Sequence, residues 1–286
     1  MKKLQIKYIM TAPVSHIGET ASTGSYFQTI KTASGRLPII TANSVRGILR
    51  DSGAKFFLDR LGCKVDKEIF HILFSGGNLN GTMKNDVGKA KSVREHFPLV
   101  SVFGGGLGDM ILAGKMAVGN LYPICKESEW ITGEYSDTSW KNLIDEIEYT
   151  RADDGKDDTL SNYIINPDDV KKAKASTQMR YAVQYMAAGT AFMQEIFLFD
   201  NISPIEESAL YSAFLSWFNL PKLGGMANKG FGFFDAETNF GINVKSQKIE
   251  TTGKFDSMIT QYTDFISAES DSYLYILGSG NNNGKK

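Results

Sequence analysis

Two arginines set four apart, Arg46 and Arg50, are the residues of this chain best placed to do chemistry, and that chemistry is holding an anion. They follow directly on Arg36-Leu37-Pro38-Ile39-Ile40-Thr41-Ala42-Asn43-Ser44, an apolar, β-prone run that ends in small polar residues. In a helix starting there, Asn43 or Ser44 caps the first turn, whose unpaired N–H groups and dipole make a ready anion site. Arg46 and Arg50 then share one face beside that site. Val45, Ile48, Leu49 and Phe56 lie on the other side and pack on a sheet. From this segment alone, an ordinary amphipathic helix with two solvated arginines is the stronger reading.

Other residues extend the same theme. Gly224-Gly225-Met226-Ala227-Asn228-Lys229-Gly230-Phe231-Gly232 lets a backbone approach closely, and Asn228 and Lys229 offer donors to phosphate or sugar. Lys84, Lys89, Lys91 and Arg94 form one basic cluster, and Lys171, Lys172, Lys174 and Arg180 a second. Between them lies an acidic stretch from Asp145 to Asp158, whose spacing is not that of an EF-hand loop. Gly104-Gly105-Gly106-Leu107-Gly108 lacks the Gly-Lys-Ser/Thr of a phosphate-binding Walker loop and reads as a tight turn. No catalytic set assembles. His16 sits near Ser15 and Glu19 in a loop, and Cys63 and Cys125 form no metal pattern and read as free thiols. His16, His71 and His96 are too scattered for a local metal site.

The elements that must position these groups are legible in outline. Over 286 residues the chain is 42% hydrophobic and 22% charged, which suits a soluble globular protein of one elaborated domain. No stretch approaches the roughly 20 apolar residues of a membrane span. The net charge of −1 excludes a global positive field, so any contact with nucleic acid rests on local surfaces. Two lysines open the chain, but Leu4 to Thr11 then alternates polar and apolar, so it reads as a half-buried strand rather than a signal peptide. Residues 12–36 read as an extended loop, and a helix is predicted from about Asn43 to Arg60. Strands are predicted over Lys115 to Tyr122, Thr190 to Asp200, and Phe234 to about Phe240. Ser203-Pro204-Ile205-Glu206 is a helix start with cap, proline and capping-box glutamate, followed by the core stripe Leu210, Phe214 and Trp217. Residues 278–286 are Gly- and Asn-rich and read as a disordered tail. Without its insertions the order is strand, helix, strand, strand, helix, strand. That predicts an α+β, ferredoxin-like (RRM-like) βαββαβ core.

In combination these segments resemble the backbone subunit of class 1 CRISPR–Cas effector complexes, the "Cas seven" family of the RAMP superfamily. Ile9-Met10-Thr11-Ala12-Pro13-Val14-Ser15-His16-Ile17-Gly18 is similar to the family's first strand and apolar-Gly turn. Leu37 to Arg50 resembles its I-P-G-S-S-L-K/R-G-x-x-R segment, with Thr41-Ala42-Asn43 in place of Pro-Gly-Ser. Leu223 to Gly232 resembles the closing G-G-x-x-x-x-G-x-G loop, and Val102-Phe103-Gly104 the L-F-G element. The nearest form is type IV, with type I-D its neighbour.

The resemblance implies a ferredoxin-like palm with a finger inserted within 61–98 and a thumb within 148–186. It implies copies stacked head to tail on a guide RNA (crRNA), joined by other Cas subunits and by target DNA or RNA paired to the guide. Ser44, Arg46, Arg50, Asn228 and Lys229 would face the guide backbone, with His16 beside them and Lys84, Lys89, Lys91 and Arg94 reaching from the finger. It implies a cytoplasmic protein with no membrane partner, no cofactor and no metal. Type III members that cut RNA carry an Asp before the L-P-I-I-P-G-S segment. Ungapped counting puts Tyr26 there, and no Asp or Glu lies between Ala21 and Arg36. The expected role is therefore binding without cleavage. The rivals are a metal-dependent or guide-processing RAMP endoribonuclease and a generic RNA-binding module.

Overall fold

The computed structural model describes residues 1–21, 24–62, 64–65, 67–77, 87–107, 109–151 and 179–269. The chain opens with β1 (Lys2–Met10), β2 (Ile17–Ala21), β3 (Gly24–Phe27), β4 (Thr29–Thr32) and β5 (Gly35–Pro38). Helices α1 (Ala42–Leu61), α2 (Lys67–Ser75), α3 (Val87–His96) and α4 (Pro98–Phe103) follow. Then come β6 (Gly105–Leu107), β7 (Met110–Leu112), β8 (Met116–Val118), β9 (Tyr122–Pro123) and the short α5 (Glu129–Thr132). The second half holds β10 (Ile144–Arg151), β11 (Met179–Met186), β12 (Ala191–Leu198) and α6 (Pro204–Phe218). It ends with β13 (Phe234–Thr238), β14 (Ile242–Lys245), β15 (Lys248–Thr251) and α7 (Gly253–Ala268).

This is a mixed α/β protein built on antiparallel sheets. The main sheet runs β15-β14-β13-β1-β12-β8, with β9 also on β12. Its central strand is β1, where strict alternation buries Leu4, Ile6, Tyr8 and Met10 on one face. Across the ladder Leu4 faces Ile196, Ile6 faces Gln194 and Tyr8 faces Phe192. The buried Gln194 accepts from the Tyr8 hydroxyl at 2.8 Å and donates to the Gly119 carbonyl at 2.8 Å, so this polar pair is satisfied. Burial holds the Tyr8 phenol well above its ordinary pKa.

The buried face of β1, β12 and β13 shares one core with α1, α4, α6 and α7. Trp217 of α6 lies 6.0 Å from Tyr8 and 5.5 Å from Phe234, pinning the helix to two strands. At the crossing of α1 and α6, a Cβ on Gly53 would stand 3.0 Å from the Ala213 Cβ and 2.8 Å from a Leu99 methyl. Only glycine lets the backbones come that close. Helix α6 begins as expected: Ser203 and Glu206 form the reciprocal capping box behind Pro204. Lys115 from the start of β8 then holds Glu206 at 2.7 Å in a nearly buried pair.

Several expectations are corrected. Residues 12–36 are not a loop but carry β2 to β5, because their partners lie across hairpins and, for β3, on the distant β11. The helix cap is Thr41, not Asn43 or Ser44, since Ile40 is tied to Leu121 and the helix begins one residue earlier. The predicted strand from Lys115 to Tyr122 is broken after Val118: Gly119 still donates to the Glu195 carbonyl at 2.8 Å, but Asn120 and Leu121 turn to Ala42 and Ile40 before Tyr122 rejoins β12. Segments 144–151 and 179–186, where no strand is predicted, form β10 and β11, which pair in register from Ile144↔Met186 to Arg151↔Met179. They join β3 and β2 in a second sheet of order β10-β11-β3-β2, with β11 parallel to β3. The last strand stops at Thr238 rather than Phe240, and β14, β15 and α7 follow it. The predicted tail, 278–286, lies outside the described residues.

Candidate nucleic-acid interface

The start of α1 is built from three separate segments. Thr41 adopts the extended cap conformation, and its hydroxyl accepts from the Ser44 N–H at 3.4 Å. Its own N–H donates to His16 Nε2 at 3.2 Å. The Ala42 N–H donates to Asn120 Oδ1 at 2.8 Å. The first-turn amides that the sequence offered to an anion are thus largely taken by protein groups. Burial lowers the pKa of His16, and as an acceptor at Nε2 it is neutral with its proton on Nδ1. His16 therefore braces the helix start, edge-on to Phe27 at 6.3 Å.

Arg46 and Arg50 stand one turn apart on α1, as the spacing predicted, but they meet carbonyls first. Arg46 Nη2 donates to the Phe103 carbonyl, and Arg50 Nη2 donates to the Gly104 carbonyl at 2.9 Å. These carbonyls end α4 and lack helical partners. The Arg50 guanidinium also stacks 5.5 Å from the Phe103 ring. Burial lowers the Arg50 pKa, Arg46 lowers it further, and Asp51 opposes the shift. Each guanidinium has five donors, so several remain to face the cleft beside them. That cleft has a volume of about 650 Å³. Asn43, Arg46, Gly47 and Arg50 form one wall, and segments 74–77, 104–106 and 111–114, with Phe74, Ile111 and Leu112 among their glycines, form the others. No carboxylate lines it among the described residues. Two cations facing walls rich in glycine backbone suit an extended polyanion that needs close approach.

The second glycine segment lies across the His16 brace. Gly225 pairs with Ser15, its N–H donating to the Ser15 carbonyl at 2.7 Å. Ser15 is buried and donates to the Gln184 carbonyl of β11 at 3.1 Å. Residues 13–16 thus join α1, this loop and the second sheet. Gly232 holds φ +86°, and a Cβ there would strike the Leu223 carbonyl, so the turn requires glycine. Asn228 and Lys229 are exposed in a short 3-10 turn, Ala227–Lys229. Lys229 bonds the Tyr181 hydroxyl and lies 4.0 Å from the ring centre of Tyr149.

The basic cluster disperses. Lys84 lies outside the described residues, as does the side chain of Lys89. Lys91 is exposed and pairs with Glu95 at 3.7 Å. Arg94 donates to the Ala113 carbonyl at 3.1 Å, behind the hairpin that walls the cleft. The second basic cluster also falls outside the described residues or their side chains. Sequence reasoning missed Thr41, Asn120, Tyr149 and Tyr181. The alternation Tyr181, Val183, Tyr185 was the available signal for the last of these.

A family model for the RAMP superfamily matches residues 11–235. A chain from a solved structure titled "Type IV-B CRISPR Complex" is similar in fold, with a TM-score of 0.60 at 17% sequence identity. The match covers 83% of this chain and 90% of that one. Among curated proteins there is no match.

Proposed function

The chain belongs to the RAMP superfamily, and from that membership we propose that it binds the backbone of a CRISPR guide RNA without cutting. The observation that carries this is the cleft where Arg46 and Arg50 face glycine backbone with no carboxylate among the described lining. Such a surface holds sugar and phosphate and leaves sequence to base pairing between guide and target. Ser44 and Asn228 extend the contact, and Arg94 supports it from behind the cleft's hairpin. The core β13-β1-β12-β8 with α1 and α6 serves as a ferredoxin-like palm. Its chain order of strand, helix, strand, strand, helix, strand and its antiparallel ladders support that assignment. The finger falls within 61–98 and the thumb within 148–186, of which residues 78–86 and 152–178 lie outside the described residues.

Copies stack head to tail through a heterologous interface that does not close, with the RNA setting the length. Likeness in fold to a chain of a Type IV-B CRISPR complex supports assembly with other Cas subunits, and the cytoplasm is the proposed location. Tyr26 is exposed on β3, and ungapped counting from Leu37 sets it where relatives that cut carry an aspartate. The absence of cleavage rests on that residue.

Purification with co-expressed guide RNA tests the reading. Large multi-copy particles carrying RNA of set length are expected on size-exclusion chromatography. A nucleic-acid-free monomer that degrades RNA would overturn it in favour of an endoribonuclease.

A further inference from the structure

Beside the closing glycine loop stand two tyrosines for which backbone binding has no use. Tyr149 of β10 and Tyr181 of β11 are partners across the hairpin, their rings 5.4 Å apart and 26° from parallel. The Lys229 ammonium lies over both rings, 4.0 Å from one centre and 4.9 Å from the other. Tyr181 is 37% exposed, and the neighbouring loop residues 228–230 are exposed too. Tyr181 is therefore open to solvent and Tyr149 half-buried, and among the described residues the Lys229 side chain lies over both. The pair is also tied to the start of α1 through Gly225, Ser15 and His16. A complementary ligand has a flat π face with a negative charge close by. A nucleotide has both: a base for the rings and a phosphate for the lysine.

We infer that Tyr149 and Tyr181 form a stacking site for one unpaired base of the bound RNA, Lys229 passing from the rings to that nucleotide's phosphate as the base arrives. This rests on the RNA-binding reading above and adds a base contact that the Arg46–Arg50 cleft does not provide. An exposed cation–π contact is weaker than a base stacked on an aromatic ring, so the exchange is favourable. Every base has a π face, so the site accepts all four.

The test compares the full chain's binding to single-stranded RNA and to abasic RNA of equal length, which keeps the phosphates and lacks the bases. The native chain is expected to favour the base-bearing RNA by about tenfold. Tyr149→Leu with Tyr181→Leu abolishes that preference and leaves abasic affinity unchanged, whereas Tyr149→Phe with Tyr181→Phe retains it. Preference surviving the leucine changes, or lost in the phenylalanine variant, would overturn the stacking site and leave backbone binding intact. Native chain that binds neither RNA would remove both readings. A Tyr181→Trp variant guards against misfolding of the leucine form. Its added fluorescence should be quenched by base-bearing RNA and not by abasic RNA, and equal response to the two would count against the site.

Discussion

His16 shows how a residue chosen for chemistry can instead do structural work. Its Nε2 accepts the N–H of the cap residue, a role only the neutral ring fills. Because burial lowers its folded pKa, the unfolded chain binds the proton more readily. Its stabilising contribution is thus complete above the unfolded value of about 6.5 and is lost as pH falls below it toward the lowered folded pKa. The urea midpoint should drop between pH 8 and pH 5, and His16→Gln should shrink that drop; an unchanged drop would remove His16 as its source. Arg46 and Arg50 carry a different expectation. Replacing both with alanine should weaken binding to RNA of every sequence alike and flatten the salt dependence by about two counterions. Filter binding across salt concentrations reads this, and an effect confined to one sequence would contradict backbone recognition. Arg50→Ala should also cost about 1–2 kcal/mol in chemical denaturation, because the carbonyls ending α4 lose a charged donor.

At the scale of elements, what the sequence revealed depended on how local the cause was. Strand β1 was readable because its alternation is contained in one short run, and α6 because its capping box spans four residues. Strands β2 and β3 were not, since their ladder continues onto β11 more than 150 residues away and their own residues alternate weakly. The Arg46–Arg50 pair was legible from helical spacing, but its carbonyl partners and the far walls of the cleft come from distant segments. The crossing of α1 and α6 makes a sharp packing prediction. Gly53→Val should destabilise by about 1–3 kcal/mol in denaturant, because the new atoms meet Ala213 and Leu99 where no space exists. Burial would raise the Glu206 carboxyl, but its bonds to Lys115 and the Ser203 N–H hold it below the usual carboxylate range. Its contribution is present above the unfolded value of about 4.3 and is lost as pH falls through the lower folded pKa. Glu206→Gln should therefore flatten the acid limb of the stability curve, measured by melting between pH 6 and pH 3.

At the scale of the whole molecule, a net charge of −1 means that binding to RNA cannot come from a general field. It must be confined to one face, and residues 13–16 make that face continuous by joining α1, the glycine loop and the second sheet. Particle mass should then follow the length of the RNA supplied, in steps of one subunit, when read by mass photometry. A mass independent of RNA length would contradict assembly along a guide.

The position of β1 bears on how this chain is made. The central strand is made long before both of its ladder neighbours, β12 and β13, which begin at Ala191 and Phe234. At about 5–20 residues per second, on the order of ten to forty seconds pass before the first of them is synthesised. Throughout that interval Leu4, Ile6, Tyr8 and Met10 lack both of the strands that flank them in the folded sheet. Vectorial synthesis thus leaves β1 dependent on shielding until β12 and β13 emerge, and a stop codon between β1 and β12 would release a fragment primed to aggregate.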